Sequence, residues 1–264
     1  MALAPIAFVT DYGVSDTYAA ALHAAVWRVD PSLAALVGMH AVPPGDVLAG
    51  AYHVKAMALA MPPGGVVCAV VDPGVGTARR ALAAVAGDRF FVLPDNGLIS
   101  YAWEESPPAS RECVALPVPD GASATFHGRD VFAPAAARLA TGTPLGELGI
   151  GSAEPRLLDT AFAHGASQVL TGVVCVVDHF GNAVTTIRDR DLGGRRVVAA
   201  EWDGDTPCSA TPVRTYAGIR EGGLGVLLGS AGHLEVAARG GRAEALGGPA
   251  LGAAVRVHLG EGAA

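Results

Sequence analysis

Apolar residues fall in short blocks separated by polar stretches rich in glycine and proline, and the character of the blocks changes after residue 165. Ile6-Ala7-Phe8-Val9 is a continuous apolar run of the kind that forms a buried strand, followed by a loop, Thr10 to Asp16. From Thr17 to Val29 the apolar positions Ala20, Leu22, Ala25 and Val26 recur at helical spacing, and Asp16 stands where an N-cap is expected. A second apolar run, Leu33 to Met39, gives way to a polar stretch ending in Asp46. Asp46 reads as the N-cap of a helix that runs to about Ala60 and is stopped by Pro62-Pro63-Gly64-Gly65. Val66 to Val71, Ala81 to Val85, Arg89 to Leu93 and Glu112 to Leu116 read as strands. Ala133 to Ala140 reads as a helix with Pro134 tolerated in its first turn. Strands alternating with helices predict an α/β fold built on a mainly parallel, helix-flanked sheet.

Between residues 149 and 168 the periodicity fades. Beyond it come short strands punctuated by glycine, aspartate and proline: Val169 to Val177, Ala183 to Ile187, Arg196 to Ala200, Gly225 to Leu228, Leu234 to Ala237 and Ala254 to Val257. Few helices can be placed among them, which predicts a smaller all-β, barrel-like domain. The expected organisation is an N-terminal α/β domain over residues 1–165 and a C-terminal β domain over residues 166–264.

Composition narrows the function. Apolar residues make up 51% of the 264 and charged ones 16%, so the chain has the material for a large buried core. The net charge of −7 and the lack of a basic block argue against nucleic acid as a partner, because phosphate neutralisation needs clustered Lys and Arg. The four cysteines form no C-x-x-C pair, so neither a zinc-ligand spacing nor a disulfide scaffold is indicated. No run approaches the ~18 apolar residues of a membrane span, and the N-terminal stretch lacks the cationic region of a signal peptide. A cytoplasmic protein with no membrane partner is expected.

The candidate chemistry lies in the loops. Asp11, Asp16, Asp72, Asn96 and His127 all follow apolar strands, and in a parallel sheet the loops at the carboxyl ends of strands are neighbours in space. These side chains are therefore candidates for one cleft. Simpler readings stand beside this one. Turn chemistry alone accounts for Asp72-Pro73-Gly74, an N-cap for Asp16, and a hydrogen-bonded structural role for His127. Asp, His and Asn are also potential metal ligands, but no H-x-E or H-x-x-x-H spacing supports a metal site. Gly74-Val75-Gly76 lacks the third glycine and the following helix of a dinucleotide fingerprint, and no G-x-S-x-G or P-loop occurs.

Six stretches taken together are more specific than any one of them: Thr10-Asp-Tyr-Gly13 with Asp16, Val71-Asp-Pro-Gly-Val-Gly-Thr77 with Arg79-Arg80, Pro94-Asp-Asn-Gly97, Phe126-His-Gly-Arg-Asp130, Asp178-His-Phe-Gly-Asn182, and Gly229-Ser-Ala-Gly-His-Leu-Glu235. Their order resembles the S-adenosyl-L-methionine hydroxide adenosyltransferase family, which is related to the fluorinases and chlorinases. The resemblance implies hydrolysis of S-adenosyl-L-methionine to adenosine and L-methionine without a metal or other cofactor. It also implies a homotrimer whose active sites lie between subunits. The family's water-activating triad falls on Asp72, Arg79 and His127, with Asp72 and His127 orienting the water and accepting its proton. Asp11 matches the aspartate that holds the ribose hydroxyls, Phe180 and Asn182 match residues that hold the adenine, and Ser230 and Glu235 lie where the methionine end is expected. Asp16, Asn96, Phe126 and Gly128 complete the implied substrate-binding set. Ala231 departs from the pattern, standing where the fluorinase has an arginine. The runner-up readings are a halide-dependent 5′-halogenase and a non-catalytic adenosine or S-adenosylmethionine binder; intact Asp72, Arg79 and His127 favour water as nucleophile.

Overall fold

The computed structural model describes residues 3–151, 154–166, 168–203 and 208–261. The chain divides into two compact units, Met1–Leu158 and Asp159–Ala264.

The first unit runs β1 (Ile6–Thr10), α1 (Tyr18–Val29), β2 (Ala35–Met39), α2 (Val47–Ala60), β3 (Val66–Val70), β4 (Ala81–Ala86), β5 (Arg89–Pro94), α3 (Ser100–Glu105), β6 (Arg111–Leu116), α4 (Ala133–Ala140) and β7 (Ile150–Gly151). Its sheet has the strand order β2-β1-β3-β5-β4-β6-β7. The first three junctions are parallel. The remaining three, from β5 outward, are antiparallel. The parallel half obeys the alternation of strand and helix, whereas β4 and β5 form a hairpin with no helix between them. A hairpin can only be antiparallel. β1 and β3 are buried along their whole length, as parallel strands covered on both faces must be. Phe8, Leu22, Val26, Val66, Val92 and Phe132 belong to one core cluster that joins the sheet to the helices packed on it.

Local signals behave as their chemistry requires at α2. The Asp46 carboxylate accepts from Ala49 N at 2.9 Å, capping the helix. At α1 the expected cap is displaced: Thr17 occupies the N-cap position without a side-chain bond, and Asp16 instead accepts from Tyr18 N at 3.1 Å. Helix α3 follows no apolar periodicity visible in the sequence; its anchor is the buried Trp103, whose indole donates to Glu154 Oε2 at 2.7 Å.

The second unit contains β8 (His164–Ala166), β9 (Val169–Val177), β10 (Ala183–Arg188), α5 (Asp189–Leu192), β11 (Arg196–Trp202), β12 (Cys208–Pro212), β13 (Leu224–Leu228), β14 (His233–Ala238) and β15 (Ala254–Gly260). The order β10-β14-β13-β12-β11-β15-β9 closes through pairing of β10 with β9, giving a seven-stranded barrel with β8 added outside β9. Val174, Ile187, Trp202, Leu234, Val236, Val255 and Val257 fill it. This is the barrel-like β domain that the short, evenly spaced strands predict. Among the described residues no helix is long and apolar enough to cross a membrane.

Candidate active site

The sheet topology of the first unit brings the polar loops to one edge. β1, β3 and β5 are parallel neighbours, so Asp11, Asp72 and Asn96, each just past a strand's carboxyl end, lie on the same side. Arg79 precedes a strand instead of following one. Because β4 runs antiparallel to β5, with Ala81 opposite Pro94, the start of β4 lies at that same edge. The loop 71–80 thus begins and ends there, and its two ends meet: Arg79 Nε lies 3.1 Å from both Asp72 oxygens, and Arg79 Nη2 donates to Asp72 Oδ2. The side chains are 9% and 5% exposed, so this is a buried ion pair. Arg79 Nη1 is buried with no hydrogen-bond partner among the described residues. The guanidinium also lies over the Phe132 ring, 5.2 Å from its centroid.

His127 arrives from the other direction. Gly128–Phe132 is a single widened, π-type helical turn that leads directly into α4, with Ala133 N bonded back five residues to Gly128 O. Such turns reorient side chains at functional sites. Here it puts His127 Nδ1 2.9 Å from Arg79 Nη2. A guanidinium can only donate, so Nδ1 accepts and the neutral imidazole carries its proton on Nε2. Burial and the Arg79 charge hold the imidazole pKa below its ordinary 6.5, against the opposite pull of Asp72 and Asp130. The three residues singled out as a triad are therefore joined through one guanidinium.

The other sites of the first unit take distinct places. Asp11 Oδ2 accepts from Gly45 N at 2.9 Å, tying the β1 loop to the loop before α2 and leaving Oδ1 without a hydrogen-bond partner among the described residues. Asn96 donates from Nδ2 to Val71 O at 2.8 Å, so its amide fixes the backbone next to Asp72. Phe126 packs edge-on against Tyr12 and Tyr18 at 5.8 and 5.3 Å and lies 4.9 Å beneath the Arg129 guanidinium. Gly128 is buried against Tyr12. Asp16 is exposed and makes no hydrogen bond to the triad. It lines a separate groove of about 540 Å³ with Val14, His23, Trp27, Val37 and His40.

In the second unit, the turn between β9 and β10 is closed by Asp178, whose two oxygens accept from Asn182 N at 2.8 Å and Asn182 Nδ2 at 2.9 Å. That leaves the Asn182 carbonyl oxygen unspent and pushes Phe180 outward, 76% exposed. Glu235, on β14, is buried and accepts from the Tyr216 hydroxyl. Burial raises its pKa, and the Asp178 charge adds to the rise against the lowering effect of that hydrogen bond. Ser230 lies exposed in the β13–β14 turn. Sequence reasoning left Tyr12, Asp178 and Tyr216 without roles. Asp178 had a signal in its four-residue spacing to Asn182; Tyr216 had none, because its partner is distant along the chain.

Among the described residues no three His, Cys, Asp or Glu side chains are grouped to hold a metal ion.

Comparison with known proteins bears on the whole chain. Residues 6–149 match the SAM hydroxide adenosyltransferase N-terminal domain, and residues 172–256 match its C-terminal domain. The chain is 41% identical over 254 residues to an (R)-S-adenosyl-L-methionine hydrolase of Thermus thermophilus, covering 92% of this chain and 95% of the relative. It is 42% identical over 263 residues to one of Salinispora tropica, covering 97% and 98%. A fluorinase of Actinoplanes is more distant, 27% identical over 216 residues. In structure the chain is similar to an uncharacterized conserved protein from Thermotoga maritima, with TM-score 0.85, 31% identity and coverage of 96% and 99%. With both domain models matched and relatives above 40% identity over nearly its whole length, the chain belongs to the SAM hydroxide adenosyltransferase family.

Proposed function

We propose that the chain is an S-adenosyl-L-methionine hydrolase, forming adenosine and L-methionine by in-line attack of water at C5′, with Asp72, Arg79 and His127 acting on the water. The observation that carries this is the Asp72–Arg79–His127 constellation, buried and linked through one guanidinium. The hydrolase relatives support the same reaction.

The chemistry follows from the substrate. Its sulfonium leaves as a neutral thioether: the new bond joins the water oxygen to C5′, the C5′–S bond breaks, and its electron pair returns to sulfur. No acid is needed at the leaving group. The difficulty lies with the nucleophile, because bulk water has a pKa near 15.7. Since Nδ1 of His127 is committed to accepting from Arg79, the imidazole presents Nε2–H and orients the water by donation. That revises the role implied by resemblance, in which histidine shared in accepting the proton. The proton goes to the Asp72 carboxylate, which retains lone pairs beyond those directed at Arg79. The Arg79 cation, whose Nη1 has no hydrogen-bond partner among the described residues, favours the developing hydroxide. Hydroxide and sulfonium combine to neutral products, so exclusion of bulk water speeds the step.

In this reading the free Asp11 oxygen accepts from a ribose hydroxyl, Asn96 holds the backbone beside Asp72, and Phe126 with Gly128 shapes the wall of the pocket. The Phe180 ring stacks on adenine, the Asn182 carbonyl oxygen reads the adenine edge, and Ser230 and Glu235 bind the methionine end. Asp16 lines its own groove away from the triad, and its part in substrate binding is carried by the resemblance alone. The same reading makes the protein a homotrimer in which each site draws on the first unit of one subunit and the second unit of its neighbour. The Phe180 ring, 76% exposed at a turn tip, is open to such a shared site. A cytoplasmic setting is supported by Cys68, Cys113 and Cys175, which are buried and joined in no disulfide.

The test is chromatography of S-adenosyl-L-methionine incubated with the protein after exhaustive chelation, with Asp72→Ala as control and with chloride added in a parallel sample. Adenosine and methionine in equal amounts from wild type only are the expected result. A chloride-dependent 5′-chloro product would replace the hydrolase by a halogenase. A trace matching buffer would leave only a binding protein.

A further inference from the structure

The Tyr12 hydroxyl has no hydrogen-bond partner among the described residues, although its ring is well packed. The ring stands edge-on to Phe126 at 5.8 Å and tilted against Tyr18 at 6.1 Å, so packing explains the aromatic body. It does not explain the oxygen. Tyr12 is half-buried and its hydroxyl keeps access to solvent, so it is open to a water or a substrate group.

Its position shows where it points. A Cβ built on Gly128 would collide with the Tyr12 hydroxyl oxygen and would stand 3.1 Å from Tyr12 Cζ and 3.1 Å from Leu22 Cδ2. The hydroxyl therefore occupies the space that a side chain at position 128 would fill, one residue from His127. Gly128 has an ordinary negative φ, so no backbone demand accounts for glycine there; the close approach does. Tyr12 also follows directly on Asp11, at the strand edge that Asp72 shares.

We propose that Tyr12 is a further catalytic residue, whose hydroxyl reaches past the bare Gly128 backbone and donates to the nucleophilic water beside Asp72 and His127. This rests on the hydrolase reading above. The phenol stays protonated, and hence a donor, because burial raises its pKa far above the ordinary 10 and the nearby Asp11 and Asp72 raise it further, against a lowering effect of Arg79. Three groups then surround the water: His127 Nε2–H and Tyr12 O–H donate to its oxygen, and Asp72 takes its proton. Before reaction both lone pairs of the water accept, from His127 and Tyr12, and one O–H points to Asp72; as that proton leaves, the hydroxide gains a third pair and one donor contact gives way to C5′, so the three contacts fix where the oxygen stands. Gly128 belongs to the device because any side chain there would displace the phenol.

The test is steady-state hydrolysis of S-adenosyl-L-methionine by the full chain carrying Tyr12→Phe, Gly128→Ala, the two together, and Tyr12→Phe with Gly128→Ser, each with a thermal melt. Tyr12→Phe is expected to lower kcat by about 10²- to 10³-fold with KM nearly unchanged, the signature of a donor used in the transition state. Gly128→Ala is expected to lose a similar factor alone, yet clearly less once Tyr12 is already phenylalanine, because the collision with the hydroxyl is then gone and only the 3.1 Å contacts with the ring Cζ and Leu22 Cδ2 remain. The serine at 128 restores a hydroxyl near the vacated position and is expected to recover about 10-fold over Tyr12→Phe. A purely structural tyrosine would show no such rescue, even if Tyr12→Phe melts early. Wild-type kcat in Tyr12→Phe, or independent effects at 12 and 128, would overturn the assignment and leave the hydrolase reading standing. A wild-type chain that forms no adenosine would overturn both.

Discussion

Replacing Asp72 by asparagine separates the two things its carboxylate does. In the structure it neutralises a guanidinium whose side chain is only 9% exposed and which has one further bond, to His127. Asparagine keeps the shape but leaves that cation buried and uncompensated, a change worth about 3–5 kcal/mol in comparable buried pairs. For a unit of this size each kcal/mol moves the melting temperature by roughly 2–4 °C, so a fall of roughly 6–20 °C is expected by calorimetry. Activity falls for a different reason, the loss of the proton acceptor, by about 10²- to 10⁴-fold. The double variant Asp72→Asn/Arg79→Met tells the effects apart. Removing both charges eliminates the uncompensated cation, so the melting temperature recovers most of its loss while turnover stays down. An Asp72→Asn chain that melts like wild type would refute the burial argument, and a double variant that regains turnover would refute the catalytic one.

Two further predictions concern separate groups. The His127 pKa is lowered on folding, so the fold favours the neutral imidazole; its contribution to stability is complete above 6.5 and is lost as pH falls through the folded value. Turnover is expected to fall along the same acid limb, because protonation at Nδ1 breaks the bond from Arg79; a limb centred above 6.5 in the pH profile of kcat/KM would contradict this. Phe180→Ala should leave the melting temperature nearly unchanged, since the ring is 76% exposed. It should raise KM by roughly 5- to 150-fold, matching the about 1–3 kcal/mol of an aromatic ring stacked on a base, and an unchanged KM would remove Phe180 from adenine recognition.

Much of this was legible in the chain and the rest was not, for identifiable reasons. The β1–loop–α1 unit and the Asp46 cap follow from local rules, because runs of apolar residues and cap chemistry act over a few positions. The prediction of a mainly parallel sheet holds from β2 to β5 and gives way at β4, where only the two-residue link Gly87-Asp88 leaves no room for a crossover. The π-type turn carrying His127 reads in sequence as a loop, since one extra residue in a helical turn leaves no periodic mark. Asp72 and His127 were visible as candidates through their loop positions, and resemblance joined Arg79 to them. The bond that fixes the imidazole tautomer depends on tertiary placement. The Tyr12 hydroxyl was silent because its meaning lies in a contact with a glycine 116 positions away, and a missing side chain carries no pattern.

One consequence of the sheet order concerns the loop from Val71 to Arg80. β3 and β4 are not adjacent; β5 lies between them, so this loop is an arch thrown over the end of a third strand. Its feet stand two strand spacings apart, roughly 10 Å, a span set by backbone hydrogen bonds and not by the loop's own residues. The Asp72–Arg79 pair is the keystone, and the Asn96 bond to Val71 props the arch from below. The placement of the pair is thereby inherited from the hydrogen-bonded sheet. At the crown Thr77 Oγ1 donates to Gly74 O and accepts from Arg79 N, and Gly76 has a φ of +78° with no room for a side chain against Ala124 O, so these two positions hold the arch in shape, while a shift of register between β4 and β5 would draw the keystone apart.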